Sequence, residues 1–257
     1  MAGAADMIWQ LWNAGEVIDS LPEDLRPHTR DEGYAVQAEL EALSKRPLVG
    51  WKIAATSKAG QQHIGVNGPI AGRLLAQRVF DDGAELAFGA NRMRVAEPEF
   101  AFRFGQPLGP REDAYQIDEV LAAVDSLHPA IEVPDSRFDD FASAGEAQLI
   151  ADNACAHEFV LGPATSANWR DIDLSKHEVS VEAVGGDQYT GIGSNVLGDP
   201  RVALLWLVNE VTGLGLTLDA GHVVTTGTCA EPLEVEPEDE IIMNFGDLGT
   251  VELTFTG

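Results

Sequence analysis

Phe100, Phe102 and Phe104 fall on every second residue of RVAEPEFAFRFG, residues 94–105. Successive side chains of a strand point to opposite faces, so the three rings share one face and Glu97, Glu99 and Arg103 share the other. The aromatic face demands a core. The opposite face sets two carboxylates side by side, and these repel unless water or a cation screens them. Either that face is open to solvent, or its carboxylates hold something.

A second charge inside an apolar strand bears on the choice. Glu132 lies between Ile131 and Val133 in PAIEVPDSRF, residues 129–138. Charged side chains are rarely buried unless paired. Carboxylates from two neighbouring strands would suit a hard divalent cation such as Mg²⁺, which keeps waters or substrate oxygens in its remaining positions. Lys52, between Trp51 and Ile53 in LVGWKIAAT (48–56), raises the same question with opposite sign. It is an edge-strand lysine whose head reaches water, a desolvated lysine with a lowered pKa, or a lysine placed to meet a carboxylate.

Around these segments the chain changes texture. Met7, Ile8, Leu11, Trp12, Val17 and Ile18 recur at helical spacing over residues 3–20, as do Tyr34, Val36, Leu40 and Leu43 over 29–45. Thr29 and Glu32 resemble a capping box, and Pro47 stops the second helix. Beyond it strands dominate: 48–56, 94–105, 129–138, NACAHEFVLG, HEVSVEAVG, HVVTTGT and DEIIMNFGDLGTVELTFTG. GVNGPIAGRL (65–74) has the glycines and proline of a loop, and IDEVLAAVDSL (117–127) reads as a helix. DPRVALLWLVNEVTGLG (199–215) is one strong helix, capped by Asp199, with Pro200 at its first position. A helical region over 1–47 and a β-rich catalytic domain over 48–257, integrated into one domain, make an α+β fold and not a βαβ repeat.

Bulk properties exclude several classes of function. The formal charge is −26, from 42 acidic and 16 basic residues, a surface that repels phosphate backbones and anionic lipid. No nucleic-acid or membrane partner is expected. Two cysteines without metal spacing fit a reducing compartment, no apolar run reaches a membrane span, and the amphipathic N-terminus lacks the basic start of a signal peptide. A cytoplasmic protein is expected. Neither glycine-rich stretch matches a phosphate loop, and His63, His128 and His157 form no legible Ser/His/Asp set.

The segments also line up with a family. GWKIAATSKAGQQHIGV resembles the GxKIGxTSxAMQxxLGV stretch of the 2-keto-4-pentenoate hydratases, members of the fumarylacetoacetate hydrolase superfamily. GYAVQ is similar to their AYxVQ, AEPEFAF to xExEFxF, IEVPDSRF to xEIxDSRx, DNACAHEFVLG to DNxxxxxFVLG, and VLGDPRVALLWLVN to xLGxPxxAxxWLxN. TTGT and FGDLGTVELTF match as well, and the order is colinear from about residue 25 to the end. The resemblance implies a mixed β-sheet roll with a helical N-terminal region, in a homo-oligomer. It implies Mg²⁺ or Mn²⁺ on Glu97, Glu99 and Glu132, with Lys52 as the catalytic lysine. Thr228 is expected near the substrate carboxylate, with Ser57 and Arg73 as further substrate contacts. The implied substrate is a small 2-oxo or 2-hydroxy-dienoate acid, and the implied reaction is addition of water to give a 4-hydroxy-2-oxo acid.

The chain departs from the pattern in three places. Ile70 stands where the family commonly carries Asp, Ala54-Ala55 replaces the usual Gly, and Glu231 occurs in TGTCAEP. These leave metal binding intact and keep other chemistries of the scaffold open. They are decarboxylation of a 2-oxo-enedioate and C–C hydrolysis of an acylpyruvate, the latter lacking an HxxE here. A non-catalytic keto-acid-binding module is the further alternative.

Overall fold

The computed structural model describes residues 2–257. Two helices lead: α1 (Ala2–Ala14) and α2 (Arg30–Ser44). Thr29 caps α2 by accepting from the Glu32 amide, while Glu32 itself accepts from the amide of His28, so the box is only half closed. α2 ends in a left-handed Lys45, ahead of Pro47. Val17 and Ile18 lie beyond α1, and Ile18 instead bridges Phe138.

Five elements follow: β1 (Leu48–Ala54), α3 (Lys58–His63), β2 (Ile70–Leu75), β3 (Val79–Asp81) and β4 (Ala84–Ala87). Then come β5 (Val95–Phe104), α4 (Ile117–Ala123), β6 (Val124–Val133), α5 (Glu146–Ala151) and β7 (Glu158–Leu161). The last third holds β8 (Glu178–Ala183), β9 (Gln188–Ile192), α6 (Pro200–Gly213) and β10 (Val223–Thr228). It closes with β11 (Leu233–Glu234), β12 (Glu240–Asn244) and β13 (Thr250–Thr256).

The strands form two sheets. One runs β2-β1-β10-β5-β6-β7-β3, with β11 also on β5, and the other runs β4-β13-β12-β8-β9. The pairs β1/β10, β3/β7 and β4/β13 are parallel and the rest antiparallel, so both sheets are mixed. The α+β expectation therefore holds. β5 lies inside the larger sheet, and its aromatic face joins the two layers. Phe100 meets Phe245 edge-on at 5.2 Å between ring centres, and Phe102 meets Trp169 at 5.6 Å. α6 buries Leu204, Leu207, Val208 and Val211, and Asp199 caps it by accepting from the Arg201 amide at 2.8 Å. Among the described residues no helix is long and apolar enough to cross a membrane.

Two expectations change. Residues 70–74 of the stretch expected to be a loop belong to β2, and every residue of that strand is buried. A strand covered on both faces shows no alternation, so its glycines dominate the local signal. The helix expected over 117–127 stops at Ala123, because Val124 already starts β6. No Gly or Pro marks that junction, whereas Pro134 does mark the far end of β6.

The helical region is tied to the sheet. Ile8, Val36 and Leu40 share a small core with Leu21, Phe138 and Ala151. The Gln37 amide of α2 donates to the carbonyls of Ala71 in β2 at 2.8 Å and of Ile150 in α5 at 2.9 Å.

Candidate metal centre

Register brings the charged residues together. Glu97 of β5 stands opposite Glu132 of β6, and Glu99 stands between Ala130 of β6 and Thr228 of β10. Lys52 projects from β1, the neighbour of β10 on its other side. Four adjacent strands thus supply one constellation. A carboxylate oxygen from each of Glu97, Glu99 and Glu132 lies within 4.8 Å of the others.

Glu99 is 0 % exposed, Glu132 1 % and Lys52 3 %, so their polar atoms must be satisfied within the protein or by a bound group. Glu99 Oε2 accepts from the Thr225 hydroxyl and the Gly227 amide. The Gly227 contact comes from a bulge, since Thr226 and Gly227 of β10 together oppose Phe100. Gly227 adopts φ +91°, and a Cβ there would overlap the Thr56 side chain. Glu99 Oε1 and both oxygens of Glu132 have no hydrogen-bond partner among the described residues. Lys52 Nζ stands 2.9 Å from Glu132 Oε1, close enough to pair charges but without hydrogen-bond alignment.

Three carboxylates against one ammonium leave the cluster electron-rich. Burial, then Glu132, push Glu97 up to about 7 against the pull of Lys52. Burial, then Glu132 and Glu97, hold Glu99 well above the usual carboxylate range against the pull of Lys52. For Lys52 burial pulls down, but Glu132, Glu97, Cys155 and Glu99 outweigh it, and the net shift is upward. Lys52 is thus a lysine that meets carboxylates, not one with a lowered pKa. Orphaned oxygens, an all-oxygen donor set and excess negative charge together fit a hard divalent cation.

The cluster borders a cavity of about 700 Å³. Lys52, Glu97, Ser57 and Thr228 are among the residues that line it, with Ile70 and Phe141 among its apolar ones.

No family model matches the chain. The 2-keto-4-pentenoate hydratase of Paraburkholderia xenovorans (strain LB400) is 31% identical over 255 residues, 98% of this chain and 93% of that protein. The chain belongs to the 2-keto-4-pentenoate hydratase family. The 4-oxalocrotonate decarboxylase of Pseudomonas putida is 31% identical over 242 residues, 93% of this chain and 90% of the relative. A solved 4-oxalocrotonate decarboxylase from Pseudomonas putida G7, complexed with magnesium and adipate, superposes with a TM-score of 0.88. It is 27% identical, and the match covers 99% of this chain and 96% of that one. The fold is that of the fumarylacetoacetate hydrolase superfamily, to which this family belongs.

The other residues singled out from the sequence fall unevenly. Ser57 caps α3 by accepting from the Gly60 amide at 3.0 Å, which leaves its own proton free to face the cavity. Thr228 donates to the Ala230 carbonyl at 2.8 Å, so it must release that bond to donate elsewhere. Arg73 does not line the cavity. In β2 it stands opposite Trp51, on the face turned from Lys52, with its guanidinium 4.6 Å over that ring and bonded to Gln37. The expectation that it contacts substrate gives way to a role in holding α2 against the sheet.

His128 and His157 are structural. His128 is held between Gly162 and Ser126, and His157 accepts from the Trp12 indole. His63 sits in the cavity lining, edge-on to Phe141. Sequence reasoning passed over Thr225, and over Asn153, whose side chain bonds the Arg73 backbone of β2. The signal for Thr225 was a hydroxyl inside the apolar strand HVVTTGT; Asn153 had none beyond its place in DNACA.

Proposed function

We propose that this chain is a metal-dependent hydratase that adds water to a 2-hydroxy-2,4-dienoate, through its 2-oxo-enoate form, to give a 4-hydroxy-2-oxo acid. The observation that carries this reading is the set of orphaned carboxylate oxygens on Glu99 and Glu132, with Glu97 and Lys52 beside them, at the edge of a largely apolar cavity. Names borne by relatives support it, since they include hydratases of 2-keto-4-pentenoate and of 2-hydroxyhexa-2,4-dienoate.

In this proposal Glu97, Glu99 and Glu132 hold Mg²⁺ or Mn²⁺, both suited to oxygen donors. When bound, the ion supplies Lewis-acid polarisation at the 2-oxo group and offsets the charge of an anionic substrate in an acidic protein. Lys52 keeps its proton at Nζ. It is therefore the general acid at C5 as the 2-hydroxyl gives up its proton and the dienol becomes the 2-oxo-enoate; the amine that forms takes a proton from the water that adds at C4, and the proton released by the 2-hydroxyl is returned at C3. Ser57 donates to the substrate carboxylate, and Thr228 joins it once Ala230 is released. Ile70 and Phe141 hold the hydrocarbon chain and keep bulk water from it. The two free, buried thiols, Cys155 and Cys229, support a reducing, cytoplasmic setting.

A second reading, decarboxylation of a 2-oxo-enedioate, is favoured by the 0.88 superposition on a decarboxylase. One assay separates the two. With Mg²⁺ and 2-hydroxypenta-2,4-dienoate, the purified protein should remove the dienol absorbance. Persistent dienol, or CO₂ released from a dicarboxylic analogue, would overturn the hydratase reading.

A further inference from the structure

β2 ends the larger sheet, and its pairing with β1 sets Ile70 opposite Ala54 and Gly72 opposite Lys52. Opposed residues point to the same face, so Ile70 is the diagonal cross-strand neighbour of Lys52. Ile70 is 1 % exposed and lines the cavity. It stands where the family commonly carries Asp. An alkyl side chain at that position can act only through where it is held.

Two peptide groups flank Ile70, and a side chain of α2 binds each of them. Arg30 donates to the Pro69 carbonyl at 3.2 Å, on the peptide that precedes Ile70. The Tyr34 hydroxyl accepts from the Ala71 amide at 3.1 Å, on the peptide that follows it. Both side chains then meet at one oxygen of α6. Glu210 Oε1 accepts from Arg30 at 2.7 Å and from Tyr34 at 3.0 Å. A hydroxyl has one proton, so a phenol that donates to Glu210 must turn a lone pair towards Ala71. Burial and the charge of Glu210 push the Tyr34 phenol up, so this proton stays in place. Arg30 is equally fixed in charge, and it also donates to Glu146 of α5 at 2.6 Å. Glu210 thus sets the direction of both holds on Ile70.

We propose that Glu210 is a positioning residue: through Arg30 and Tyr34 it fixes the Ile70 side chain in the cavity wall beside Lys52. This rests on the reading of the cavity as a 2-oxo acid site. Glu210 itself does not line the cavity, so its effect on a bound acid passes through Ile70.

The test is a double-substitution cycle between Glu210→Ala and Ile70→Ala. Calorimetry measures the affinity of each Mg²⁺-saturated protein for 2-oxopentanoate, a saturated analogue of the proposed 2-oxo-enoate. Glu210→Ala should weaken binding by about fivefold or more in the parent, as for residues joined in one network. In the Ile70→Ala background the same substitution should change it by less than about twofold, the scatter of independent sites. Mg²⁺ affinity should be alike in all four proteins, because the three carboxylates lie on β5 and β6. The fold should persist, since Gln37 still holds the Ala71 carbonyl and Arg30 still pairs with Glu146. Should Glu210→Ala nonetheless unfold, Tyr34→Phe carries the same cycle.

Unchanged affinity for the acid in a folded Glu210→Ala overturns the inference. So does a loss of equal size in both backgrounds, which is what a merely structural role gives, or a fall in Mg²⁺ affinity, which would place the effect on the metal. If 2-oxopentanoate gives no Mg²⁺-dependent heat with the parent, the reading of the site falls and this inference falls with it.

Discussion

Glu97 and Glu132 face each other directly across the β5–β6 ladder, the pairing of like charges that an antiparallel sheet tolerates least. Glu99 adds a third carboxylate and Lys52 a single counter-charge. The sheet keeps this arrangement because apolar packing on the other face of β5 fixes the register. Phe100, Phe102 and Phe104 are almost fully buried, and a one-residue slip would turn all three out of the core.

Glu97→Gln should therefore abolish tight divalent-metal binding while leaving the protein folded. Replacing a charged carboxylate by a neutral amide should weaken Mg²⁺ binding by more than the ~10–100-fold typical of removing a group that merely supports a ligand. Calorimetric titration measures it, and unchanged Mg²⁺ affinity would remove the metal-site reading. Without metal the variant should unfold at a temperature no lower than the parent's, since one of two facing charges is gone.

Lys52→Met should show the opposite balance. It strands the charge of Glu132 in the interior, a loss of about 3–5 kcal/mol for a broken buried pair. The deficit, measured by urea denaturation without metal, should shrink when Mg²⁺ is saturating, because the cation replaces the missing positive charge. Activity should be lost in both conditions. A deficit that does not respond to Mg²⁺ would show that Lys52 and the cation do not share the same carboxylates.

The raised carboxyl of Glu97 gives a pH signature. Its folded value, about 7, exceeds its ordinary value of 4.5, so the folded state holds a proton that the unfolded chain has released. That contribution to stability is present below about pH 4.5 and is lost as pH rises towards about 7. The metal-free protein should thus lose stability over this window. Stabilisation by Mg²⁺ should grow over the same window, because proton and cation compete for one site. Melting temperatures taken with and without Mg²⁺ from pH 5 to pH 8 check both slopes, and parallel curves would contradict the competition.

Much of this site was legible in the sequence because it sits on amphipathic strands. The alternation around Phe100 put Glu97 and Glu99 on one face, and Glu132 stood out as a charge among branched residues. What the sequence could not show were contacts set by both-face burial and bulges. β2 has no alternation and reads as a loop, so nothing in the sequence set Arg73 on a sheet face; its register opposite Trp51 does. The Gly227 amide reaches Glu99 only through the bulge between Thr225 and Thr228, which the sequence does not announce. Asn153 is harder still. It opens a run of three left-handed non-glycine residues, Asn153, Ala154 and Cys155, that local propensity disfavours.

That run leads to the last prediction. The Asn153 side chain accepts from the Arg73 amide at 2.7 Å and donates to the Arg73 carbonyl at 2.9 Å, taking the place of a neighbouring strand along the edge of β2. Gly72 makes the approach possible. A Cβ there would overlap the Asn153 carbonyl and crowd Lys52 Cγ at 3.1 Å. Gly72→Ala must therefore push the strained turn and the lysine stem apart. Overpacking of this kind costs about 1–3 kcal/mol, read by urea denaturation. The larger effect should fall on turnover, since Lys52 would leave its place beside Glu132, and sub-ångström placement governs proton transfer. With dienoate as substrate, kcat should drop more than tenfold, the scale of general acid–base assistance, while Mg²⁺ affinity moves little. A variant that loses stability but keeps its kcat would show that Gly72 serves only the packing of β2.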